Sequence, residues 1–219
     1  MTAHTSGQVA MQPNAHTIRA VLFDFDGTLT MPGALDFPGI RQQLGCPPDL
    51  PVLEFIQFIE DEHRRRTLMD RLDQIEVLAA SRSHPNAGAQ EVVRWLKQRQ
   101  MPLGIITRNS RASVARAMAN FDDADAADFD LIITRDDPLS PKPSGEGVLW
   151  AAAQMGLQTS EILVVGDFVF DCQAGRAAGA RTALLDHGRD PRLQAEACDY
   201  RIRHLLELKE IVRPNGTGR

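Results

Sequence analysis

Val21-Leu22-Phe23-Asp24-Phe25-Asp26-Gly27-Thr28-Leu29-Thr30 is an apolar run that stops at two carboxylates separated by one residue, followed by glycine and threonine. The run from Ala20 to Phe23 reads as a buried strand. A buried carboxylate without a partner costs several kcal/mol, so two acids at a strand end call for something cationic to meet them. The pattern puts Asp24 and Asp26 at a carboxyl edge, where open α/β sheets bind ligands. Taken locally, a strand followed by an ordinary Asp-Gly turn explains the stretch equally well. The rest of the chain has to decide between turn and site.

After this strand, Pro32, Gly33, Pro38, Gly39, Gly45, Pro47 and Pro48 break up the residues from 31 to 51, leaving room for a short helix near Gly39 to Leu44. Leu53, Ile56, Phe58 and Ile59, then Leu68, Leu72, Ile75, Val77 and Leu78, recur at helical spacing and predict two amphipathic helices. No strand-like segment falls between Thr30 and His84, so 31–84 reads as a helical insert.

From Ala87 strands and helices alternate. Strands are expected at Leu103–Thr107, Leu131–Thr134, Ile162–Gly166 and Thr182–Leu185. Helices are expected around Val92–Leu96, over Ala112–Asn120 capped near Ser110, from a Ser144 cap to Gly156, over Asp171–Ala178 with Gly179 as the stop, and around Leu205–Leu208. Short apolar strands separated by helices indicate a mostly parallel sheet covered on both faces. The core is thus expected at 18–30 and 85–213, with flexible tails at 1–17 and 214–219.

Composition narrows the class without naming a function. A net charge of −5, with 43% hydrophobic and 24% charged residues over 219 positions, is ordinary for a soluble domain. It argues against a dedicated nucleic-acid or anionic-membrane surface. Arg64-Arg65-Arg66 is flanked by Glu60, Asp61, Glu62 and Asp70 and reads as a solvated helix face. No apolar stretch is long enough for a membrane helix, and the first residues lack the apolar core of a signal peptide. Cys46, Cys172 and Cys198 are dispersed and odd in number, which predicts free thiols in a reducing cytoplasm.

Three expected strands end in complementary polar residues: Asp24 with Asp26, then Thr107, then Asp167 with Asp171. The loop after a fourth adds Lys142. A parallel sheet brings these ends to one edge. Four acids there would repel one another without a cation, and acids with a hydroxyl and an ammonium suit Mg2+ shared with a phosphate.

The ordered set Asp24-Phe25-Asp26-Gly27-Thr28-Leu29-Thr30, Ile105-Ile106-Thr107-Arg108-Asn109, Pro141-Lys142-Pro143 and Gly166-Asp167-Phe168-Val169-Phe170-Asp171 resembles the haloacid dehalogenase-like hydrolase superfamily, in its phosphoglycolate phosphatase-like branch. Arg135-Asp136 and the Ala174–Gly179 stretch fit that branch. The resemblance spans Ile18 to Leu185 and implies a Rossmann-like doubly wound parallel sheet with a small α-helical cap inserted after the first strand.

By resemblance, Asp24 would be the nucleophile that forms an aspartyl-phosphate, and Asp26 the general acid and then base, giving its backbone carbonyl to the metal. Thr107 would bind a phosphoryl oxygen. Lys142 would neutralise the transferring group, and Asp167 would ligate Mg2+. Asp171 would orient Asp167 or a metal-bound water. Arg108 is a candidate substrate contact or a structural arginine, and Asn109 shapes the phosphate pocket or caps a helix. Phe168 is expected to pack, and His63 and His84 to serve the surface or a hinge.

The implied function is hydrolysis of a small phosphorylated metabolite such as phosphoglycolate or a sugar phosphate, by a monomer or homodimer with no nucleic-acid or membrane partner. Dehalogenases of the superfamily lack an acid at the position of Asp26. A phosphomutase would keep the motifs and differ in the cap. A phosphoacceptor domain of the response-regulator kind would carry its acidic pair before the acceptor strand and has no room for this insert.

Overall fold

The computed structural model describes residues 17–188 and 198–212. The expected tails at 1–17 and 214–219 lie outside these residues, Thr17 excepted. Six parallel strands form one sheet in the order β3-β2-β1-β4-β5-β6. They are β1 Ala20–Phe23, β2 Leu103–Ile106, β3 Leu131–Ile133, β4 Ile162–Gly166, β5 Arg181–Leu185 and β6 Tyr200–Ile202.

Side chains alternate across this sheet, and each face has its own apolar layer. Val21, Phe23, Ile105, Leu163 and Val165 pack against α4 (Ala89–Lys97), α5 (Arg111–Met118) and α8 (Leu208–Ile211). Ala20, Leu22, Ile106, Ile162 and Val164 pack with Val148, Ala151 and Ala152 of α6 (Glu146–Met155) and Ala178 of α7 (Val169–Ala178). Two covered faces are why β1, β2 and β4 read as unbroken apolar runs.

Most local expectations hold to within a residue or two. Ser110 caps α5 by accepting from the Ser113 amide, and Gly156 and Gly179 end α6 and α7 in the left-handed region. Gly145 takes the N-cap position of α6 instead of Ser144, whose hydroxyl accepts from the Glu146 amide at 3.2 Å. The sequence reading missed β6. Only Ile202 of its three residues is buried, too little for an apolar signal.

Residues 31–84 form α1 (Phe37–Leu44), α2 (Val52–Gln57) and α3 (Glu62–Ala80) around a separate core of Ile40, Leu44, Val52, Leu53, Ile56 and Leu72. The chain leaves and re-enters the sheet module side by side: Thr30 bridges Pro85, and the Met31 amide donates to the His84 carbonyl at 2.8 Å. Arg64 and Arg66 are exposed as expected, while Arg65 reaches the Ile59 carbonyl at 3.0 Å. One detail of α3 departs from its periodicity. Leu78 is 57% exposed, whereas Glu76 is buried against the sheet module.

The cysteine expectation is corrected. Cys172 on α7 and Cys198 just before β6 are joined in a disulfide beside Leu184 of β5, and Cys46 alone is free. Their separation of 26 residues carries no hint that α7 and the start of β6 meet over the same strand. No helix among the described residues is long and apolar enough to cross a membrane.

Candidate active site

The chain runs outward from β1 to β2 and β3, then returns to β4 on the other side of β1. This reversal opens a crevice at the carboxyl ends of β1 and β4. The Asp24 amide donates to the Val165 carbonyl at 2.7 Å, so the β1–β4 ladder extends into the first acid. The next residues, Phe25–Leu29, form one wide turn in which Gly27 adopts φ 81°. A Cβ at Gly27 would stand 2.2 Å from Asp167 Oδ2, so the turn lies directly on that carboxylate and only glycine fits.

Lys142 comes from the loop after β3, where the Lys142–Pro143 peptide is cis, and its side chain is 5% exposed. Its ammonium donates to Asp24 and, at 2.5 Å, to Asp171. The second oxygen of Asp171 accepts from the Phe168 amide at 3.0 Å and closes the first turn of α7. Asp171 thus anchors Lys142 directly, a contact the sequence reading did not assign to it. Asp24, Asp167 and Asp171 can each offer an oxygen within 4.8 Å of the others, and this group could hold a metal ion.

The charges in this group are unbalanced. Burial pushes Asp24 up to about 7, with Asp171 adding to it against the pull of Lys142. Burial, then Asp24 and Asp171, hold Asp167 well above the usual carboxylate range. Burial would lower Lys142, but Asp171 and Asp24 outweigh it and keep the ammonium above its ordinary value.

The carboxylate of Asp26 is absent from this three-acid group. Asn109 Nδ2 donates to one of its oxygens, and Thr30 Oγ1 to the other at 3.1 Å. Burial raises Asp26 despite both donors. Asn109 is therefore not the α5 cap, a role that Ser110 fills. Thr107 is buried at the end of β2, the strand flanking β1 on the side away from β4, and its hydroxyl accepts from the Asn109 amide at 3.2 Å. Arg108 pairs with Glu54 of α2 at 2.6 Å and donates to the Lys142 carbonyl. Phe168 is 37% exposed and makes a T-shaped ring contact with Phe170, so its packing is at the surface.

Two features escaped the sequence reading. His187, just past β5, meets the Gly27 carbonyl at 2.7 Å and Asp167 at 3.9 Å. The same rule that found the other residues, polar groups at the carboxyl ends of parallel strands, would have found it. Arg135 bonds Glu76 and Asp73 of α3, and Glu76 also accepts from the Ser110 amide. An acid on a charged helix gives no sequence signal for such a burial.

Known proteins agree with this architecture. The haloacid dehalogenase-like hydrolase family model matches residues 18–179. An uncharacterized hydrolase of Saccharomyces cerevisiae is 30% identical, covering 90% of this chain and 91% of its own. A phosphoglycolate phosphatase of Pectobacterium atrosepticum is 30% identical, covering 78% and 81%. The solved structure of a hydrolase from Pseudomonas syringae superposes with a TM-score of 0.72 at 22% identity, covering 89% of this chain and all of the other, which speaks for the fold. The matched residues span the wide turn after β1, the Lys142 loop and α7. The protein is an enzyme of the haloacid dehalogenase-like hydrolase family.

Proposed function

We propose that this hydrolase is a Mg2+-dependent phosphatase that cleaves small phosphate monoesters through an aspartyl-phosphate on Asp24. One observation carries the reading: two acids two residues apart face different partners. Asp24 meets the ammonium of Lys142, while Asp26 is held by the neutral donors Asn109 and Thr30. A carboxylate facing an ammonium suits a nucleophile, and an acid held by neutral donors suits a group that gives and takes a proton.

In this reading the Asp24 carboxylate attacks phosphorus in line as the P–O bond to the leaving alcohol breaks. Asp26 passes its proton to the departing oxygen. Water then attacks the aspartyl-phosphate, Asp26 recovers a proton from it, and inorganic phosphate leaves with Asp24 restored. Lys142 and the Thr107 hydroxyl stabilise the charge on the transferring group. Asp171 holds Lys142 in place.

The donor set suits a hard divalent cation, because three clustered acids offer only carboxylate oxygens and share one ammonium. Asp24 and Asp167 would hold the ion, with Asp171 beside them and the Asp26 carbonyl as a further candidate. When bound, Mg2+ offsets the repulsion between the attacking carboxylate and the phosphate dianion. Phosphoglycolate is the first substrate to try, given the relative from Pectobacterium atrosepticum.

The test is release of inorganic phosphate from p-nitrophenyl phosphate and phosphoglycolate with and without Mg2+. Release is expected to need the cation and to vanish in Asp24→Asn. Normal turnover in that variant would defeat the mechanism, and a single labelling event without release would indicate a phosphoacceptor.

A further inference from the structure

The proposed reaction gives no task to Arg108, although it follows Thr107 directly. Both terminal nitrogens of its guanidinium have partners within the chain. Nη2 pairs with Glu54 Oε2 of α2 at 2.6 Å, Nη1 donates to the backbone carbonyl of Lys142, and the guanidinium carbon lies 4.8 Å from the centre of the Phe170 ring. The carbonyl of Arg108 in turn accepts from Arg135 Nη1 at 3.0 Å, and Arg135 is bonded to Asp73 and Glu76 of α3. The pair is mostly shielded, with side-chain exposures of 19% for Arg108 and 29% for Glu54. Arg108 thus joins three parts of the molecule: the helical segment, the loop bearing Lys142 and the first turn of α7.

We infer that Arg108 is a positioning residue that, with Glu54, clamps the α1–α3 segment onto the Lys142 loop, so that the ammonium is set on Asp24 when the segment is seated; it is not a subsite for a second anionic group of the substrate. A substrate carboxylate that took the Nη2 of Arg108 would displace Glu54 from a shielded pair and leave a partly buried acid uncompensated. The planar fork holds its two terminal nitrogens on a carboxylate and a carbonyl in one fixed geometry, which the flexible ammonium of a lysine does not reproduce. The kinetic side of this inference rests on the phosphatase reading. The placement of the Lys142 loop does not.

The experiment compares Glu54→Gln, Arg108→Gln, the double variant and Arg108→Lys on p-nitrophenyl phosphate, which carries no second anionic group, and on phosphoglycolate, which does. Each single variant is expected to lose about ten-fold in kcat on both esters with little change in KM. The double variant is expected to be no worse than the singles, and Arg108→Lys to resemble Arg108→Gln. A loss confined to phosphoglycolate, seen in KM and rescued by Arg108→Lys, would make Arg108 a substrate anchor and overturn the inference. So would losses that multiply in the double variant, or a lower melting temperature with kcat unchanged.

Amide hydrogen exchange on the protein without substrate gives an independent answer. Glu54→Gln is expected to speed exchange across residues 139–146 as well as in α2. Unchanged exchange in that loop overturns the clamp even if neither ester is hydrolysed. A wild-type enzyme inert toward both esters would count against the phosphatase reading alone.

Discussion

Asn109 donates its side-chain amide to the carboxylate of Asp26 across 83 residues of sequence, and this contact separates the two acids of the first motif. Asp24 faces the charged side of the crevice, with Lys142, Asp167 and Asp171. Asp26 faces a neutral side made by Asn109 and Thr30. The asymmetry comes from the end of β2 and the wide turn after β1, which flank the same strand.

The Asn109 bond favours the charged form of Asp26 and so opposes its burial. Removing it in Asn109→Ala should raise Asp26 further. In the proposed reaction Asp26 gives its proton to the leaving alcohol, so the basic limb of kcat/KM against pH should move to higher pH in this variant. A profile that keeps its basic limb in place would show that Asp26 does not supply the proton.

Cation binding should depend on pH through Asp24. Its carboxyl is pushed up to about 7, and Asp167 is also raised, so below that pH an incoming ion must displace protons. Apparent Mg2+ affinity should strengthen as pH rises through about 7, by up to about ten-fold per unit for each proton displaced. Calorimetry in buffers of different ionisation enthalpy should show proton release near pH 6.5 and much less near pH 8.5, both approximate settings on either side of that value. The dependence on Asp24 should disappear in Asp24→Asn.

Arg135 and Glu76 form a shielded pair between the sheet module and α3, with side chains 7% and 6% exposed. Arg135→Met leaves Glu76 buried without its cation, at a cost of about 3 kcal/mol measured by denaturant unfolding at neutral pH. Burial already holds Glu76 above its usual value, with Arg135 pulling it down. Without Arg135 it rises further. A group whose folded value is raised contributes stability at low pH and loses it as pH rises through that value, so the deficit of Arg135→Met should shrink as pH falls toward 5. Adding Glu76→Leu should recover much of the loss at neutral pH.

The disulfide gives a direct count. Unfolded without reductant, the chain should show one reactive thiol, from Cys46, and after reduction all three cysteines. Three thiols without reductant would return the chain to the free-thiol expectation.

Much of the site was legible because parallel sheets place strand ends together. Once Ala20–Phe23, Leu103–Thr107 and Ile162–Gly166 read as buried strands, Asp24, Thr107 and Asp167 had to share an edge, and Lys142 joined them from the loop after Leu131–Thr134. β6 was not legible, since a three-residue edge strand with one buried side chain has almost no pattern. Nothing in the sequence marks Glu76 on its charged helix, and only its packing against Arg135 and Ser110 shows its burial.

The sequence by itself determined the α/β class, the helical insert and the acids, hydroxyl and ammonium at the strand ends, because periodicity and strand-end chemistry are local properties. The tertiary structure decided which side chain meets which. It sent Asp26 to Asn109 instead of the three-acid group, gave Lys142 two carboxylates, paired Arg108 with Glu54 and joined Cys172 to Cys198. Hydrogen bonds and ion pairs act over a few ångströms in space, and spacing along the chain carries no record of those distances until the sheet order sets them.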